Sequence, residues 1–129
     1  MISGVLRAVL LSEMHRAVED STRHAMQLLV CGEGALTYPP GVELSKAERS
    51  TIVALALSPT AQSALEKLLR DAAAAPLFHL FVLLDGVADP RDWPGTWPGA
   101  TITTPRGEGR ADSMWHDDFY GTYREHGDE

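Results

Sequence analysis

Apolar residues at Leu6, Leu10, Met14, Ala17, Val18, Ala25, Leu28 and Leu29 recur at helical spacing, and predict an amphipathic helix over 3–31 that stops before Gly32. The middle of this stretch, Glu19 to His24, is almost wholly polar, so a break near Asp20 or Ser21 is an alternative. Glycines and prolines then crowd 32–41, which reads as a connector. Ser45 followed three residues later by Glu48 matches the capping box, in which each side chain serves an orphaned backbone N–H of the other residue. A second helix is predicted from there, ending near Ser58. Ser58 itself is a plausible cap for a third helix, with Pro59 at the first helical position and Leu65, Leu68, Leu69 and Ala72 on one face.

The segment Pro76 to Gly86 is apolar and aromatic. Its proline start and glycine stop favour a buried fourth helix over a core strand, because no second strand candidate of similar strength exists to pair with it. Between Gly86 and Asp112 the chain holds four prolines and five glycines, too many for regular structure. A last helix is expected from Asp112 or Ser113 through Tyr123, interrupted only at Gly121. The expected architecture is mainly α: a single-domain bundle of about four to five helices, with a long irregular Pro/Gly/Trp-rich crossing before the last. Residues 1–84 form its helical scaffold and 85–129 an acidic, aromatic segment packed on it. A chain of 129 residues fits one domain.

Charge sharpens this division. The whole chain carries −7, and residues 85–129 hold four arginines against ten acids. Six of the nine aromatic residues lie there too, namely Trp93, Trp97, Trp115, Phe119, Tyr120 and Tyr123. An acidic field steers association with a basic partner, and Trp and Tyr supply buried anchoring area. Trp93, Trp97, Trp115, His116, Asp117, Asp118 and Tyr120 are therefore the candidate partner-binding residues of a small regulatory or interaction domain. An immunity-like inhibitor that masks a cationic site is one version. The simpler alternative is that the tryptophans only cap a small core, with the acids solvated around them.

The same balance disfavours nucleic acid as a partner. The lone Cys31 excludes an intramolecular disulfide, and a cytoplasmic location is expected. No signal peptide is expected, because Arg7 interrupts the first apolar run and Glu13, His15 and Arg16 follow it. The apolar stretch 72–84 is shorter than the roughly 20 residues a bilayer span needs, so no membrane association is expected.

The rival reading is a metal-dependent or acid–base enzyme centred on His116. The candidate metal ligands are His116, Asp112, Asp85 and Asp89, with the four-apart pairs His15 with Glu19 and Asp20 with His24. Neither the His-Glu-x-x-His pattern nor the Glu-x-x-His pair of di-iron bundles occurs, so no metal is favoured and no cofactor is expected. His116 beside carboxylates would have its protonated form favoured, but no partner nucleophile or oxyanion donor is identifiable. His79, inside an apolar run, reads as a core histidine. Gly86 reads as a helix terminator and Asp89-Pro90 as a turn.

Overall fold

The computed structural model describes residues 4–36 and 41–102. These are mainly helical, with three helices and no strand among the described residues: α1 (Gly4–Cys31), α2 (Lys46–Ala54) and α3 (Pro59–Leu84). The described residues gather into two compact units, one formed by 4–17 with 74–102 and the other by the described part of 18–73. No described helix is long and apolar enough to cross a membrane.

The helix starts follow the local chemistry of the sequence. At α2 the Ser45 hydroxyl accepts from the Glu48 N–H at 3.1 Å, while the Glu48 carboxylate accepts from the Ser45 N–H at 2.6 Å. At α3 the Ser58 hydroxyl accepts from the Ala61 N–H at 3.2 Å, and Pro59 occupies the first helical position. α2 closes at Ala54, four residues before the expected stop near Ser58. Its C-terminal turn is finished by Ala56, whose N–H donates to Val53 O with φ at +46°.

Two predicted helices are one. The third and fourth expected segments join as α3, with Pro76 inside it, so the expected count of four to five is not reached among the described residues. Pro76 cannot donate to the Ala72 carbonyl, and a proline in a helix interior costs about 3 kcal/mol. Against that cost, residues 72–75 are four consecutive alanines, the strongest helix formers, and Ala72 is exposed, where water can serve its carbonyl. The last predicted helix, from Asp112 or Ser113 to Tyr123, lies outside the described residues.

In the unit holding 4–17 and 74–102, the buried side chains are Arg7, Leu11 and His15 on α1, with Ala74 and Phe81 on α3. In the unit formed by 18–73 they are Val18, Thr22 and Leu28. Val18 and Leu28 are buried as expected, but over the first half of α1 the buried stripe is turned by about one residue, or about 100°, from the expected one. Leu6 is half exposed, and Leu10 and Met14 are only partly covered. Polar residues hold the stripe because each has a way to be buried. Arg7 brings an aliphatic stem, and both Arg7 and His15 have interaction partners in the protein. The Thr22 hydroxyl donates to Val18 O at 2.8 Å.

The polar middle of α1 does not break it. Glu19 receives a two-pronged hydrogen bond from Arg70 of α3, at 2.8 and 3.2 Å, and Arg70 also reaches Glu66 at 3.1 Å. Arg23 pairs with Asp20 along the helix. At the end of α1, Gly32 has φ at +69°, and a Cβ there would lie 2.6 Å from Val53 Cγ2. The Arg49 guanidinium donates to Gly32 O at 2.9 Å, placing a cation at a helix end that has no basic residue in its own last turn.

Candidate functional site

The most elaborated feature among the described residues is the loop that follows α3. A helix leaves its last four carbonyls without helical donors, and here each finds one. Asp85 N–H donates to Phe81 O at 2.9 Å and Val87 N–H to Val82 O at 3.1 Å. Leu83 O receives Gly86 N–H at 3.1 Å and the indole N–H of Trp97 at 2.6 Å. Leu84 O receives Ala100 N–H at 2.9 Å. The bonds from Val87 and Gly86, with Gly86 at φ +70°, form a Schellman motif. Gly86 thus terminates α3 as its sequence context implies.

The chain then leaves and returns. Gly99 comes back against the helix end so closely that a Cβ on it would lie 2.7 Å from Leu84 O and 3.1 Å from Gly86 N. Within the loop, Asp89 Oδ1 accepts from the Trp97 N–H at 3.1 Å, and Trp93 N–H closes a turn onto Pro90 O at 3.1 Å. The Trp93 and Trp97 rings meet edge to face, with centroids 4.9 Å apart and planes at 80°. Trp93 spends its indole N–H on Thr96 O at 3.3 Å and remains 45% exposed. Trp97 is half-buried.

One signal in the sequence was missed. Trp93-Pro94-Gly95-Thr96 and Trp97-Pro98-Gly99-Ala100 are consecutive copies of one four-residue unit. In each, proline holds the second position, and glycine the third with φ at +90° or +80°. That is the residue order a type II turn demands. The repeat places equivalent tryptophans one unit apart, which is how they come to meet edge to face. The proline and glycine content alone predicts only irregular structure here.

The other predicted site residues separate into those with a structural role and those beyond description. Asp85 is the C-cap residue of α3, and Asp89 braces the loop. Among the described residues no three His, Cys, Asp or Glu side chains are grouped to hold a metal ion. Trp115, His116, Asp117, Asp118, Tyr120 and Asp112 lie outside the described residues, and with them the centre of the enzyme reading. The α1 pairs serve other partners: Glu19 binds Arg70, Asp20 binds Arg23, and His24 Nε2 lies 2.5 Å from Ala35 O. His79 is exposed, against the expectation of a core histidine, because it falls on the opposite side of α3 from Ala74 and Phe81. Cys31, the last residue of α1, is exposed. It borders an open groove of the 18–73 unit, lined among others by Thr22, Met26, Val30 and Gln62.

No protein-family model matches this chain, and neither a curated protein nor a solved structure shows significant similarity to it.

Proposed function

We propose that this protein is a small interaction domain that binds a macromolecular partner with a basic surface through its acidic, aromatic C-terminal third. An immunity-like inhibitor of a cationic protein is one concrete form, acting in the cytoplasm. The observation that supports this reading is the presentation of Trp93. A tryptophan left 45% exposed on a loop this heavily hydrogen-bonded has little ordering entropy left to lose on binding, which is the condition under which an aromatic anchor contributes most to affinity. The concentration of acids after Leu84 supplies the electrostatic half of the argument, since it favours encounter with cationic surfaces and against anionic ones.

The test is affinity capture from a native lysate with the wild-type chain and with an Asp117→Lys, Asp118→Lys variant, at low and high salt. The wild type retains a basic protein whose recovery falls as salt rises, and the reversed variant loses it. Equal recovery of the same proteins by both forms overturns the proposal.

A further inference from the structure

The chemistry around Trp93 points to one kind of side chain on the partner, an inference that rests on the interaction reading above. Its indole N–H is already committed to Thr96 O, so what remains for a partner is the π-face. Such a face carries the negative part of the ring quadrupole. Two further features of the same unit favour a cation there. Asp85, Asp89 and Asp92 stand against Arg91 alone, leaving two net negative charges over residues 85–102. Asp92, adjacent to Trp93, is exposed, and so are Arg91, Pro94 and Thr96.

We propose that Trp93 is the docking platform for an arginine of the partner, stacked on the exposed part of the indole and drawn to it by Asp92 and the net negative charge of the loop. Arginine fits better than lysine. Its planar guanidinium lies flat on a ring while its N–H groups still reach a carboxylate, and it sheds water more readily than an ammonium does.

The full-length protein is titrated with hexa-arginine, hexa-lysine and a neutral Gly-Ser hexapeptide, by calorimetry at low salt. Hexa-arginine binds about fivefold more tightly than hexa-lysine, and the neutral peptide does not bind. Trp93→Leu, which keeps bulk and removes the π-face, brings hexa-arginine down to the hexa-lysine level. Asp92→Asn weakens both cationic peptides together. Circular dichroism melting of Trp93→Leu confirms that the loop and helices remain intact, and Trp93→Phe, which restores a smaller ring, recovers part of the arginine preference. If Trp93→Leu binds hexa-arginine as the wild type does, or if the two peptides bind the wild type equally, the arginine platform is wrong while a basic partner still stands. If neither cationic peptide binds, both readings fail.

Discussion

Trp97 donates its indole N–H to the carbonyl of Leu83, 2.6 Å away and fourteen residues back in the chain. This bond ties the loop to the helix it leaves, and it makes Trp97 the support against which Trp93 rests. Replacing Trp97 by Phe keeps a ring beside Trp93 and removes the donor. The expected cost is about 1 kcal/mol in a urea denaturation series, with Trp97→Ala costing about 3 kcal/mol through the added loss of the ring. An undiminished midpoint for Trp97→Phe would show that the bond contributes nothing net.

Gly99 and Gly95 occupy equivalent places in the two turns but not equivalent surroundings. A Cβ at Gly99 meets backbone atoms of Leu84 and Gly86, whereas at Gly95 it meets nothing within 4 Å. Both substitutions by alanine strain a positive φ, at a cost of about 1 kcal/mol. Gly99→Ala adds a backbone collision, so its loss should exceed that of Gly95→Ala by about 2 kcal/mol. Chemical denaturation of the two variants side by side checks the difference.

Ala56 offers the opposite case. It sits at φ +46° after α2, in a conformation that L-residues other than Asn and Asp rarely adopt. Ala56→Gly should raise stability by about 0.5–1 kcal/mol, the relief of left-handed strain outweighing the extra freedom glycine gains in the unfolded chain. Gly32→Ala, which adds both strain and contact with Val53, should lower it by about 2 kcal/mol. Thermal melting reads both signs.

The Glu19–Arg70 pair joins α1 to α3 by a fork rather than a point contact. Both groups are partly exposed, so solvent screening limits their coupling to about 1 kcal/mol in a double-mutant cycle with Ala, falling as salt is added. Arg70→Lys should lose more than half of that coupling, because an ammonium cannot make the parallel pair of bonds.

What could be read from the chain beforehand was what local chemistry decides. Ser45 with Glu48, Ser58 with Pro59, and Gly86 each act within a few residues of themselves, and each fixes a helix end where expected. Pro76 misled because its penalty is local while the compensation comes from the alanines before it. The buried stripe of α1 misled for a different reason. Arg7, His15 and Thr22 are polar by name, yet an aliphatic stem, an internal partner and a bond to Val18 O allow each a place beneath the surface. The Arg70–Glu19 fork spans 51 residues, and no periodicity announces it. At the candidate site, the acidity and the tryptophans were visible in the composition, but their order was not. That Trp97 turns inward to the helix and Trp93 outward follows from Leu83 offering a carbonyl, which no pattern of letters reveals.

The closeness of Gly86 to Gly99 also shapes what can be inserted between them. The fourteen residues from one to the other form a ring whose neck admits no side chain and whose far edge, at Gly95, has empty space around it. Extra residues placed at Gly95 would lengthen the ring at a closure cost that grows only logarithmically, leaving the neck intact. A short reporter peptide spliced in at that point would ride beside the indoles and signal whatever approaches them.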